Sequence, residues 1–175
     1  MKKLNLAFAI ALLVSSAIWA ENITITTTTS ASADKVGEVT RPGLLFKFAL
    51  PAELENARID LAYLRFKVEA DSGQEAIGLL IRPMLESWTS GQNLSTLSLS
   101  AASPFHANTG RIGYKTGTAK AEVTLTVKTW QKGELPNLGF LIYPTDETTA
   151  SLQPKNLSGG GIAELEIFYT AAEKK

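Results

Sequence analysis

Ala57-Arg58-Ile59-Asp60-Leu61-Ala62-Tyr63-Leu64-Arg65-Phe66-Lys67-Val68-Glu69 is the stretch whose reading decides the fold. In its second half Leu64, Phe66 and Val68 alternate with Arg65, Lys67 and Glu69. That is the two-residue period of a strand with one buried face. The first half runs out of phase, because Ile59 and Leu61 have the opposite parity. One extra residue near Ala62 or Tyr63, a β-bulge, reconciles the two halves.

Upstream, Leu44, Phe46, Phe48 and Leu50 share one parity with Lys47 on the other, a second half-buried strand. Pro51 to Asn56 turns the chain between the two. Asn22 to Thr29 is nearly all β-branched, which suits a pleated surface better than a helix. Ser30 to Pro42 is polar and reads as a loop. Downstream, Asp71-Ser72-Gly73 makes a turn. Ala76 to Arg82 is a strand with Ile77, Leu79 and Ile81 in phase, ended by Pro83. Leu94 to Ser100 alternates imperfectly with serines.

Ala101 to Thr118 reads as a long polar loop, rich in turn residues. Val123, Leu125 and Val127 form a strand that passes into a helical turn at Trp130, capped by Gly133. Gly139 to Tyr143 is a short buried strand. Asp146 to Gly161 reads as another polar loop. Ile162 to Tyr169 closes the chain, with Leu165, Ile167 and Tyr169 on one face.

Seven or eight short strands, without a long amphipathic helix or an internal repeat, predict an all-β fold. The expected architecture is an antiparallel two-sheet β-sandwich, jelly-roll-like, with at most one short helical turn near 125–131. Pairing of the first strand with the last is compatible with the sequence but not demanded by it.

The first 20 residues have the order of a secretory signal peptide. Lys2 and Lys3 precede an apolar run from Leu4 to Val14, and small residues follow. Cleavage fits after Ala20 or after Ala17. The apolar run is shorter than the ~20 residues of a spanning helix. Residues 21–175 then form a single domain, extracytoplasmic, secreted or periplasmic, with no membrane insertion after cleavage. The chain has no cysteine, so disulfides and thiolate metal sites are excluded. Losing two lysines leaves 15 basic against 17 acidic residues, near −2, with no basic stripe. Nucleic acid is therefore not an expected partner.

Four segments in order resemble the DNRLRE domain, a secreted bacterial β-sandwich related to carbohydrate-binding modules. Leu45-Phe46-Lys47-Phe48-Ala49-Leu50 before Pro51 is similar to the family's L-L-x-F-D-L strand. Ala57 to Val68 is similar to its V-x-x-A-x-L-x-L-x-V strand. Glu86-Ser87-Trp88-Thr89-Ser90-Gly91 resembles S-W-T-E-G. Glu122 to Trp130 resembles D-V-T-x-x-V-x-x-W, and Lys132-Gly133 with Asn137 to Ile142 resembles G-x-x-N-x-G-F-x-L. The resemblance spans about 43–170. It departs at Ala49 and Glu122, where the family has aspartate, and residues 21–42 lack its N-x-G turn. It implies an exported sandwich and an inward set of Ile59, Ala62, Leu64, Phe66 and Val68. It implies no single activity.

Chemistry is sparse. His106 is the only histidine, no G-x-S-x-G elbow is present, and no partnered base stands beside it in the sequence. Zinc lacks a ligand set. Asp146-Glu147 with Thr145 and Thr148, or Asp71-Ser72 with Glu75, offer oxygens for a structural calcium. Neither forms an EF-hand loop, so no metal or other cofactor is predicted. Glu86, Glu122 and Glu164 are the acids nearest apolar runs, but two of them flank strands and suit solvent. Trp88 and Trp130 suit packing better than sugar stacking. Phe105, His106, Arg111 and Tyr114 form the candidate ligand-binding set, an aromatic and basic rim. The expected function is non-catalytic binding of a glycan or other surface polymer, with a polysaccharide or a surface protein as partner. The alternative is a structural or assembly protein of the cell surface or matrix, ahead of a glycan-active hydrolase.

Overall fold

The computed structural model describes residues 20–38, 41–70, 76–104, 108–113, 115–145 and 152–172. Its strands are β1 (Ala20–Thr27), β2 (Ser30–Ala33), β3 (Gly43–Phe46), β4 (Arg58–Ala70), β5 (Ala76–Pro83) and β6 (Asn93–Leu94). They continue as β7 (Asn108–Gly113), β8 (Lys115–Glu122), β9 (Phe140–Pro144), β10 (Leu152–Lys155) and β11 (Ala163–Thr170). One α-helix, α1 (Thr124–Gln131), follows β8 directly.

The strands form two sheets, the antiparallel and mixed layers of an all-β sandwich. The first is built on β4. β11 pairs with β4 along Arg58–Phe66, and β8 pairs along Tyr63–Ala70. The two partners overlap at residues 63–66, so they occupy opposite flanks. β10 pairs along Lys67–Ala70 beside β8 and so extends the β11 flank. β1 completes the sheet by pairing antiparallel with β11, which joins the first strand to the last. The second sheet runs β6-β2-β3-β9-β5-β7, antiparallel except for the short parallel pair β2–β6.

The bulge in β4 is real but lies at Asp60, two residues before the expected position. Phe168 faces Leu61, and the next residue, Tyr169, faces Ile59, which leaves Asp60 without a partner. This puts Ile59, Ala62, Leu64, Phe66 and Val68 on the inner face, all buried. Asp60 is the residue that suits the outside. Its carboxylate accepts from Thr170 Oγ1 at 2.7 Å and from Arg58 Nε at 2.8 Å. The Thr170 hydroxyl and the Arg58 guanidinium hold its carboxyl below the ordinary range.

The main core lies between the sheets. Phe46 of one packs on Phe66 of the other with ring centroids 5.8 Å apart. Phe140 receives Trp130 at 4.6 Å and Phe48 at 6.3 Å. A second, smaller core covers the outer face of the second sheet. There Leu45, Leu141 and Tyr143 meet Met84, Leu97, Ala101 and Ala102 from the segment 84–104, with Trp88 half-buried beside them. Trp88 Nε1 donates to Leu138 O at 2.7 Å, so both described tryptophans pack rather than stand free.

Five sequence expectations change. α1 has eight residues, about two turns, rather than one, because Val123, Val127 and Trp130 reach the core at helical spacing. Gly133, with φ +71°, ends it as expected, its N–H on Trp130 O. The polar stretch 30–42 contains β2, whose Ala31 and Ala33 are buried. The stretch 101–118 is mostly β7 and the start of β8, and 146–161 contains β10. Conversely, of 94–100 only Leu94 belongs to a strand, and Leu99–Ala101 is a 3-10 turn. In β2 and β8 the buried residues are alanines, so the alternation carries little hydropathy.

Gly139 permits the close approach of the chain entering β9 to the end of β3. Its φ is +90°, and an added Cβ would stand 2.2 Å from Phe46 O. Gly139→Ala is expected to cost about 3 kcal/mol in urea unfolding from backbone strain and overpacking together. Gly133→Ala, whose Cβ meets nothing, should cost only about 1 kcal/mol. The Asp60 contribution is fully present above the ordinary carboxyl value of 3.8 and is lost as pH falls through the lower folded value. Asp60→Asn should therefore lower stability at neutral pH and flatten its fall below pH 4, read from urea midpoints across acid pH.

Candidate functional site

Charge is distributed unequally over the two outer faces. On the first sheet, cations meet acids across the strands: Arg65 with Glu164 at 3.2 Å, Lys120 with Glu166 at 3.4 Å, and Lys155 with Glu69 at 2.5 Å. Arg58 and Asp60 pair within β4. Lys120 also lies 3.9 Å from the Tyr63 ring centroid. Strand register puts these partners side by side, so this face neutralises itself.

The outer face of the second sheet differs. Leu80 and Arg82 alternate with the inward Leu79 and Ile81 on β5. The register sets Leu80 against Tyr143 and Arg82 against Leu141 of β9. Tyr143 is 1% exposed, and the Arg82 guanidinium carbon lies 5.6 Å from its ring centroid. That is within the range of a cation–π contact. Burial raises the Tyr143 phenol, and the positive charges of Arg82 and Arg41 oppose the shift.

Neither has an acidic partner in the ion pairs among the described residues. The Nε atoms of Arg41 and Arg82 are each buried without a hydrogen-bond acceptor. A guanidinium N–H removed from water and left unpaired is costly, and an acceptor brought to it would relieve that cost. Arg41 also lines a groove of about 710 Å³ with Gly37, Glu38, Thr96, Ser98 and Leu99. The size suits a ligand of one to a few rings. Its walls combine one cation, one carboxylate, two hydroxyls and an aliphatic surface. Ser98 and Ser100 hydroxyls lie 2.7 Å apart at its rim.

Of the four residues expected from sequence, Phe105, His106 and Tyr114 lie outside the described residues. Arg111 stands on β7 opposite Gly78, a position of the same parity as Leu80 and Arg82. The stretch is not one loop. Phe105 and His106 precede β7 and Tyr114 follows it, so a six-residue strand of roughly 20 Å separates them along the chain. The acids weighed for a structural calcium, Asp71 and Glu75 in one stretch and Asp146 and Glu147 in the other, also lie outside the described residues.

Arg41, Arg82 and Tyr143 were missed in the sequence. Arg82 carried a signal: a charge of outward parity beside Ile81 in a strand otherwise apolar. Arg41 carried none, because it sits in a segment read as loop. No protein-family model and no curated protein matches the chain. No described helix is long and apolar enough to cross a membrane.

Proposed function

We propose that this chain is an exported, non-catalytic sandwich module that binds an anionic surface polymer, in the first place a polysaccharide bearing carboxylate or sulfate groups. The observation that carries the reading is a pair of guanidinium Nε atoms buried without an acceptor, that of Arg82 over the Tyr143 ring and that of Arg41 in the wall of a hydroxyl-lined groove. Carboxylates and sulfates match the planar donor fork of a guanidinium. Sugar hydroxyls match Thr96 and Ser98.

The kinship to the DNRLRE domain belongs to the same proposal. So does export by the leader at residues 1–20 to the periplasm or beyond. Surface polymers are met there.

A second reading, a structural or assembly protein of the surface or matrix, is favoured by a different feature. β1 is an eight-residue strand at the end of its sheet, paired on one side only among the described residues.

Titration calorimetry of the exported chain with polygalacturonate, chondroitin sulfate and neutral xylan tests the first reading. Binding is expected to the two anionic polymers and not to xylan, and it should weaken as salt rises. Arg41→Gln/Arg82→Gln should lose tenfold or more in affinity while the circular dichroism spectrum is unchanged, and neither polymer should be shortened on incubation. Unaltered affinity in the double variant, or equal binding to xylan, would sink the reading. Arg111→Ala/Tyr114→Ala separates a contribution of β7 and its end from that of Arg41 and Arg82.

A further inference from the structure

We propose that β1 is a self-pairing edge, through which two copies of this chain join antiparallel about a two-fold axis at Thr24. This deepens the assembly reading and is independent of the arginine face.

Three observations lead there. First, β1 leaves one edge unpaired among the described residues, and that strand carries no lysine, arginine or proline. Those are the devices that ordinarily block edge pairing. The other sheet ends are unlike it. β8 carries Lys115 and Lys120, β7 contains two glycines and Arg111, and β6 has only two residues.

Second, the strand is complementary to itself. Antiparallel pairing centred on Thr24 sets Glu21 against Thr27, Asn22 against Thr26, and Ile23 against Ile25. Ile23 and Ile25 already pack against the core from the inner face. The dimer would extend that apolar row across the axis and keep Asn22, Thr24 and Thr26 on the outside. β-Branched and threonine pairs are favourable cross-strand neighbours. A two-fold interface requires this kind of self-complementarity.

Third, the edge has space and charge beside it. A groove of about 430 Å³ runs along Ile25, Thr26, Thr27 and Thr29, with Lys47, Phe48 and Ala49 on its other side. In the proposed register Glu21 of the partner subunit arrives next to Thr27, at this groove. Lys47 is exposed and makes no ion pair among the described residues. Glu21 and Lys47 therefore meet across the axis twice, by symmetry. Glu21 keeps its contact with the Tyr169 hydroxyl, 2.9 Å from Oε2, which fixes the carboxylate near the strand.

Analytical ultracentrifugation of the exported chain at high micromolar concentration should find a dimer. Two charge variants test the register with the same positions altered. Asn22→Lys/Thr26→Lys places like charges opposite each other twice and should weaken association at least tenfold. Asn22→Lys/Thr26→Glu places opposite charges there and should retain the dimer. Because the chain lacks cysteine, Thr24→Cys should form a symmetric disulfide under mild oxidation, whereas Leu125→Cys, exposed on α1, should not. A monomer at all concentrations overturns the proposal. So does a dimer to which both charge variants are indifferent. Glycan binding without dimerisation defeats this inference alone, and dimerisation without glycan binding defeats the arginine-face reading alone.

Discussion

Everything in the molecule leans on β4 being hydrogen-bonded along both flanks while its inner face is dry. β11 and β10 hold one side, β8 the other, and Val123 N–H continues the second flank onto Ala62 O at 2.8 Å. A strand with both edges satisfied can bury its inner residues without leaving backbone groups unpaired. Ala62, Leu64, Phe66 and Val68 are each 0% exposed for that reason. The bulge at Asp60 is part of the same constraint. Without it, Ile59 would fall on the solvent face and Asp60 in the core.

The two sheets spend their outer faces differently. The first neutralises its charges through strand register, so its exterior is a solvated lattice of paired groups, each pair contributing little on its own. The second takes a further apolar layer from residues 84–104, which buries Tyr143 and screens the arginines near it from bulk water. A guanidinium there cannot be hydrated as freely as an exposed lysine and has no acidic ion-pair partner among the described residues. The chain's small net charge hides this separation, because a sum over residues says nothing about which face carries them.

The sheet class was legible because Leu44 to Phe48 and Leu64 to Glu69 alternate strongly. In such stretches hydropathy and strand parity coincide. The elements that were missed are those in which they do not. Ala31 and Ala33 alternate as regularly, but only with serines, and the front of β8 is Lys115-Thr116-Gly117-Thr118, so both read as polar linkers. Gly110, Gly113 and Gly117 read as turns but stand in paired strands, where a missing side chain costs packing rather than pairing. The Asp60 bulge shows the limit of parity itself. A slip between Leu61 and Leu64 is visible in sequence, but which residue is extruded depends on Thr170, 110 positions away. The site suffered most, since Arg41 and Arg82 are joined only by the pairing of β9 with β3 and β5.

The arginine face and the β1 edge lie on different sheets, and this separation has a physical consequence. Pairing through β1 extends the first sheet sideways and covers none of the second sheet's outer face. Two copies would therefore present two arginine faces held by one rigid sheet rather than by a flexible linker. A polymer repeats its anionic groups along its length, so a second contact follows the first at high effective concentration wherever the spacing matches. A site of modest intrinsic affinity then suffices for firm attachment. That matters in a chain whose candidate groove is shallow in charge, with Glu38 opposing Arg41 along the same wall. Self-pairing and polymer binding, as proposed, would then be separate features of one architecture, each increasing the usefulness of the other.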